Sequence, residues 1–454
     1  MLAIFSELLL ILFKKKGHKM LLKISVYLIL LIMQGCSSWW ISYHNNPPEI
    51  QHVDFLPGPR PSRIILTFQE NPATSATVTW RTNSNGSESK AEIVAADPSP
   101  YFNDHKTSAV ATSTQLKTQH GEVIYHKAQF TGLEPATTYL YRVVTGQYQS
   151  EWFQFTTAST SDQPFRFIYM GDAQKRIFSH VSRVMRAAYA KAPDASFVLH
   201  TGDLVDHADN DYEWEEWFHA GSFIHAQIPV VALPGNHEYN KNLLGQRITF
   251  SKYWNPQFNF PDNHPIEALD DQTYYFDYQQ IRFVALNSNR YIEEQSEWLD
   301  RVLKESNKKW NILSFHHPLQ NAVKRRQNQE IRKRWKPVIE KHSVDLVLQG
   351  HDHSYARGYL DDEESGTICV VSVAGKKMYN LDKQAWMARK GENTQLFQII
   401  ELTGDTLQYT CYTPSGKIYD SFLLQKQQTG NNILVETGND FPGERIHENT
   451  LREN

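Results

Sequence analysis

Cysteine is almost missing from this chain: only Cys36, Cys369 and Cys411 occur in 454 residues. No two of them have the spacing of metal ligands, which excludes a Cys-type structural zinc site and a disulfide framework. Cys369 and Cys411 lie in strand-like runs, TICVVSVAG and LQYTCYTP. A disulfide between them and a pair of buried free thiols both remain open. A charge excess of one sign is missing too. The formal net charge is −4 and no domain-wide basic stripe is present, so nucleic acid is not an expected partner. The run KKWNIL reads as a solvated face. The cluster Lys324, Arg325 and Arg326 follows a histidine motif, and Arg325 and Arg326 are candidates to meet an anionic substrate. A comfortable membrane span is absent from the N-terminus: the apolar run Leu21 to Met33 is short and Lys23 interrupts it.

That short run, with a cationic start and small residues after it, reads as a secretion signal. Gln34-Gly35-Cys36-Ser37 resembles a bacterial lipoprotein processing site, in which Cys36 carries the lipid, and Met33 departs from the usual leucine. The expectation is a lipoprotein-like signal over 1–36 and an exported chain. Its lipid on Cys36 would anchor it to a membrane, in the periplasm or at the cell surface. Translation from Met20 would remove a further apolar segment ahead of it.

Aromatic residues are plentiful, with 11 Trp, 22 Tyr and 23 Phe, so a chain of this length can build more than one core. Residues 37–60 read as a tether broken by Pro and Asn. Residues 61–158 read as short strands between turns. ATVTWRT and TTYLYRVVT alternate as half-buried strands do. In GLEPATTYLYRV, Pro135 precedes a strand and Tyr139 starts it, which resembles the tyrosine corner of fibronectin type III-like sandwiches. No cluster of His, Asp or Glu there suggests chemistry. After the linker SDQP, residues 164–424 alternate strands with helices such as EEQSEWLDRVLKES, the pattern of an α/β domain. Residues 425–454 read as an extended, poorly ordered tail.

Five apolar strands in the α/β part end in metal-binding residue types: Asp172 in MGDAQ, Asp203 in TGDLVD, Asn236-His237-Glu238 in PGNHE, His316-His317 in SFHHP, and His351 with His353 in QGHDH. A single Gly-Asp at a strand end is ordinarily a turn. Ligands of open α/β sheets, however, gather beyond the carboxyl ends of the strands. Five such ends in one domain exceed what turn chemistry asks for. Oxygen and imidazole donors without thiolate suit Fe, Mn or Zn rather than Cu(I). The glycine before Asp172, Asp203, Asn236 and His351 admits a close backbone approach.

GDA, GDLVD, GNHE, FHHP and GHDH, in this order and spacing, resemble the calcineurin-like metallophosphoesterases. With SATVTWRT, LEPATTYLYRV, QTYYFDY, QSEWLDRVL and VDLVLQGHDHSYARG, residues from about 61 to 424 resemble the bacterial purple acid phosphatase branch. The resemblance implies an all-β sandwich followed by an α/β domain of two packed β-sheets flanked by helices. It implies two divalent or mixed-valence ions. Asp203 would bridge them, Asp172 and His353 would bind the first, and Asn236, His316 and His351 the second. His237 would serve the phosphate as proton donor or hydrogen-bond partner. His317 would orient a ligand or contact substrate. The implied reaction is hydrolysis of phosphate monoesters by direct attack of a metal-bound hydroxide, with the cations about 3.5–4 Å apart.

Two positions depart from the pattern. The tyrosine that colours the purple enzymes would stand three residues after Asp203, where this chain has Asp206. The histidine that many relatives carry two residues after the first aspartate is Gln174 here. Asp206 and Gln174 are therefore candidates to complete the first metal, and the enzyme is expected to be colourless. In HTGDLVDHADND, His200 and His207 read as supporting residues, and Asp209 and Asp211 as loop or helix cap. Phosphodiester or nucleotide hydrolysis at the same site is the runner-up. A surface binding protein on a phosphatase scaffold is the competing reading from another class.

Overall fold

The strand Thr138–Thr145 alternates half-buried and buried side chains, as its sequence predicts, but Ser75–Asn83 is buried along nearly its whole length. The computed structural model explains the difference. It describes residues 56–446 apart from 84–87, 243, 324, 325, 327, 361–365, 383, 428–430, 439, 440 and 442. The expected signal with Cys36, nearly all of the tether, and Arg325 lie outside the described residues.

The first part is a sandwich. One sheet contains Ser62–Thr67, Ser75–Asn83, Gly121–Thr131 and Thr112–Thr118; the other is built on Ser89–Ala95 and Thr138–Thr145. Trp80, Phe130, Tyr141 and Phe155 fill the space between them. Burying each such side chain contributes on the order of 1.5–3 kcal/mol. The Tyr139 hydroxyl accepts a hydrogen bond from the Glu134 N–H at 2.9 Å, the contact of a tyrosine corner.

Two further sheet regions make the α/β part. Phe165–Met170, Val198–His200 and Val230–Ala232 run parallel. In the second sheet Ile281–Leu286, Trp310–Phe315, Leu346–Gln349 and Ile368–Val371 are the parallel centre. Phe167, Phe197, Phe276 and Phe283 belong to the core between the two sheets. Helices Ile292–Lys304 and Gln329–Lys341 cover the second sheet with Trp298, Leu299, Trp335 and Ile339. Ser182–Lys191 and Asp211–Gly221 pack on the first sheet through Val184, Met185, Trp214 and Trp217. Cys369 and Cys411 are buried free thiols.

The sandwich is continuous with the α/β part. Thr67 pairs in parallel with Val230, so one eleven-stranded sheet runs through both. This continuity accounts for Ser75–Asn83. Its second face meets the α/β part, where Thr79 Oγ1 donates to Gln257 O and Arg81 pairs with Glu215 at 2.7 Å. Arg63 is buried there with Asp211 and Glu215, each at 2.7 Å.

Two expectations are corrected. Asp211 is not a loop or cap residue: Asn210 caps the helix by accepting from Tyr212 N, and Asp211 is buried against Arg63 and Arg81. The segment after residue 425 is not all tail. Ile433–Glu436 adds an edge strand to Ile418–Gln425, and Glu436 pairs with Arg357 at 2.7 Å. Backbone pairing supplied the order that its polar composition did not suggest.

Candidate metal centre

Each candidate ligand lies just beyond the carboxyl end of a parallel strand, and the ends of both sheets converge. The turns that hold them are tight. Asp172, Asp203, His351 and His353 all adopt left-handed backbone conformations, with φ of 53°, 52°, 75° and 47°. Such geometry costs of order 1–3 kcal/mol per residue and clusters at functional sites. The preceding glycines are needed for space. A Cβ on Gly350 would stand 2.6 Å from Asp172 Oδ2, and one on Gly235 would overlap the Asp203 carboxylate. Gly350→Ala is accordingly expected to displace Asp172 and lower the metal content per chain while the circular dichroism spectrum stays folded. Full metal content in that variant would contradict this role.

Two donor clusters form, and they share one residue. Asp172, Asp203 and His353 bring ligand atoms within 4.8 Å of one another, and so do Asp203, His316 and His351. Asn236 stands beside the second cluster. Its side-chain amide meets His351 Nδ1 at 2.7 Å at one end and the Arg247 guanidinium at the other. His316 Nδ1 contacts the Thr201 carbonyl at 2.8 Å, which directs Nε2 at Asp203 Oδ2, 3.3 Å away, and at His351 Nδ1, 3.2 Å away. Imidazole and carboxylate ligand atoms thus converge on one space, a donor set that fits a metal ion. Charge gives the same result. Burial, joined by the Asp203 charge, pushes the Asp172 carboxyl up to about 8. Burial also opposes charge on Asp203, but His316 and His237 hold it well below the usual carboxylate range. Burial would lower His316, and Asp203 overrides it and lifts the ring to about 9. Two buried carboxylates side by side need a cation to stay ionised together.

Gln174 and Asp206 take different places. The Gln174 amide nitrogen lies 3.0 Å from Asp203 Oδ2 and 2.9 Å from His353 Nε2, and its buried oxygen has no hydrogen-bond partner. Gln174 is therefore at the first cluster. Asp206 is turned to His237, with Oδ1 at 3.3 Å from Nδ1, and has Lys175 at 4.0 Å. The Asp206 carbonyl contacts the same Nδ1 at 2.6 Å, which leaves His237 Nε2 facing the cavity, 4.0 Å from Asp203 Oδ2. His317 does not line the cavity. Ser288 Oγ holds its Nδ1 at 2.8 Å and its ring packs on that of His351, 4.3 Å between centroids. Arg326 does line it, and donates to the His351 carbonyl. His200 is buried against Trp217 and His225, and His207 is exposed and paired with Glu213 at 2.7 Å.

Three residues at the centre were not assigned a role by sequence. Glu238 is fully buried and accepts from the N–H groups of Asp203, Leu204, Val205 and Gly235, so it fixes the turn that carries Asp203. Its place in PGNHE was the only signal. Arg247 enters from the hairpin Tyr239–Lys241 and Arg247–Phe250, and Lys377 from the segment after Ile368–Val371. Neither lies in a motif.

A carboxylate shared between two oxygen-and-imidazole clusters, at the joined ends of two sheets, is the build of a binuclear metal enzyme. The model of the calcineurin-like phosphoesterases matches residues 165–355, and that of the purple acid phosphatase N-terminal domain matches residues 61–157. The chain belongs to the calcineurin-like metallophosphoesterases and carries the N-terminal domain of purple acid phosphatases. It is 23% identical over 356 residues to an uncharacterized protein of Mycobacterium tuberculosis, covering 70% of this chain and 66% of that protein. It is 26% identical over 340 residues to acid phosphatase type 7 of Mus musculus, covering 68% of this chain and 73% of the mouse protein. The fold is similar to that of purple acid phosphatase PPD1 from yellow lupin (Lupinus luteus) seeds, with a TM-score of 0.69 and 18% identity over 81% of this chain and 75% of that one.

Proposed function

We propose that this chain is an exported phosphoesterase that hydrolyses phosphate monoesters at a two-metal centre, with Asp203 bridging the ions. The observation that carries the proposal is the single carboxylate common to both donor clusters. In this reading Asp172 and His353, with Gln174, hold the first ion, and Asn236, His316 and His351 hold the second. The donors suit Fe, Mn or Zn. Such a pair, when bound, supplies an acidic water and positive charge for the phosphoryl oxygens.

The chain's own side chains do the rest. Neutral Asn and His ligands keep the centre's negative charge low enough for an anionic ester to approach. Burial holds His237 below the ordinary histidine range, against the pull of Asp203. With Nδ1 tied to the Asp206 carbonyl, its Nε2 is the atom that holds or delivers a proton to the ester oxygens. His317, clamped by Ser288, keeps the His351 ring in place. The cavity is lined by no Ser, Thr or Cys among the described residues, which favours direct displacement by water over a covalent intermediate.

Turnover of an aryl phosphomonoester and the matching diester, with Mn²⁺, Zn²⁺ or Fe²⁺ supplied to protein starting at Ser37, tests the reading. Monoester turnover at least about tenfold above diester turnover is the expected result. Faster diester turnover would replace the substrate class, and absence of any turnover by folded, metal-loaded protein would oppose the enzyme reading.

The iron-loaded protein is expected to be colourless. Asp206 occupies the position of the colouring tyrosine and faces His237. An intense visible absorption band on the ferric form would contradict this assignment. For location, the proposal is a lipid on Cys36 and attachment to a membrane, periplasmic or at the cell surface. Metabolic labelling with a radioactive fatty acid, lost in Cys36→Ser, is the expected outcome, and a soluble unlabelled product would oppose it.

A further inference from the structure

The cavity above the metal centre carries more positive charge than a phosphomonoester needs. This inference rests on the phosphoesterase reading above. The cavity has a volume of about 640 Å³, and its walls include Lys175, Lys241, Arg247, Arg326 and Lys377 against only two carboxylates, Asp203 and Asp206. Asp203 is taken up by the donor clusters. Asp206 is shared between His237 and Lys175. Arg326 has Asp352 at 3.3 Å, and Lys241 is exposed at the rim. Arg247 and Lys377 form no ion pair among the described residues, although both are half-buried.

Two divalent ions with Asp172 and Asp203 leave a charge of about +2, which a phosphomonoester dianion balances. Arg247 and Lys377 are then in excess. Keeping cations partly out of water without an opposite charge in contact is unfavourable unless an anion arrives. The two cations also touch different residues. Arg247 touches the Asn236 amide, at the second donor cluster. Lys377 belongs to the wall around Tyr379. The Tyr379 ring packs edge-on to His353, with Arg326 4.9 Å and Lys377 5.6 Å from its centre. The Tyr379 N–H donates to the His353 carbonyl at 3.1 Å, which fixes this wall to the first donor cluster. Arg247 is placed to meet the scissile phosphoryl group. Lys377 and Arg326 are placed to meet something attached to it.

We propose that the preferred substrates are phosphomonoesters whose leaving group carries a second anion, a phosphate or a carboxylate, held by Lys377 and Arg326 at Tyr379. Lys377 and Arg326 are specificity residues in this scheme and take no part in the displacement.

The test compares phenyl phosphate, 4-carboxyphenyl phosphate and 1,4-phenylene bisphosphate on metal-loaded chain. Calorimetry of phenylphosphonate and 4-carboxyphenylphosphonate runs beside it, as a binding readout independent of turnover. At least one of the two esters with a second anionic group should show kcat/KM about tenfold above phenyl phosphate, chiefly through KM, and the preference should shrink in 0.5 M salt. Which ester is preferred distinguishes phosphate from carboxylate as the second group. Lys377→Met should bring the esters within about twofold of one another, and should remove any affinity gap between the phosphonates. Equal kcat/KM for all three esters in the wild-type chain, or an equal loss for all three in Lys377→Met, overturns this inference and leaves monoester hydrolysis standing. No turnover of any ester by folded, metal-loaded chain overturns the parent reading and this one with it.

Discussion

Asp203→Asn is expected to lower turnover of an aryl phosphomonoester by at least about a thousandfold and to reduce bound metal from two ions per chain to one or none. Asparagine keeps the size of the side chain and one acceptor oxygen. The His237 N–H, which contacts Asp203 Oδ1 at 2.8 Å, retains a partner. What disappears is the second anionic oxygen. Oδ2 faces His316 at 3.3 Å and Gln174 at 3.0 Å, so it belongs to the first cluster and the second alike. No neighbouring carboxylate can replace it, because Asp172 lies at one cluster only and Asp206 is turned to His237. Elemental analysis, steady-state kinetics and a thermal melt separate this loss from unfolding. A variant that keeps both ions and its turnover would remove Asp203 from the bridging role. A less stable variant of an inactive wild-type chain would instead favour the binding-protein reading.

Arg63→Ala is expected to destabilise the chain by about 3–5 kcal/mol, although Arg63 lies in the sandwich, remote in sequence from every candidate ligand. Arg63 is buried, pairs with Asp211 and Glu215, and donates to Tyr125, Gln257 and the Asp211 carbonyl. Removing it leaves Arg81 alone beside two acids, one of them fully buried. The damage then reaches the site. Glu213, on the helix that begins at Asp211, accepts from the N–H groups of Asp206 and His207, and the Asp206 carbonyl fixes His237. A several-fold fall in kcat below the melting transition is therefore expected with the loss of stability. Arg166→Ala is the control. Its partner Asp194 is exposed and Glu401 is partly exposed, so the change should stay below about 1 kcal/mol. Denaturant unfolding of the two variants measures the difference, and equal effects would contradict the bracing role of the sandwich.

The donor residues were legible because their signal is local. Each of Asp172, Asp203, Asn236, His316 and His351 follows its strand within a few residues, and the strand ends of a parallel sheet must meet. The sandwich was legible from period-two alternation and from the Pro135–Tyr139 spacing. What escaped depends on contacts between distant segments. Joining the sandwich to the α/β sheet rests on one parallel pair, Thr67 with Val230, which no pattern in either strand announces. Arg247 and Lys377 reach the cavity from a hairpin and a loop whose sequences resemble ordinary surface. Asp211 looked like a capping residue because helix starts favour aspartate; a buried arginine contributed by another part of the fold decides its role. Choosing between Asp206 and Gln174 needed side-chain direction, which spacing does not contain.

The most direct test of the central claim is a metal titration of the apo chain, followed at once by hydrolysis of an aryl phosphomonoester and by isothermal calorimetry. Two donor clusters that share Asp203 predict turnover that rises to a plateau at two equivalents of metal, with two binding events. A plateau at one equivalent, or saturated binding without turnover, would contradict a two-metal phosphoesterase.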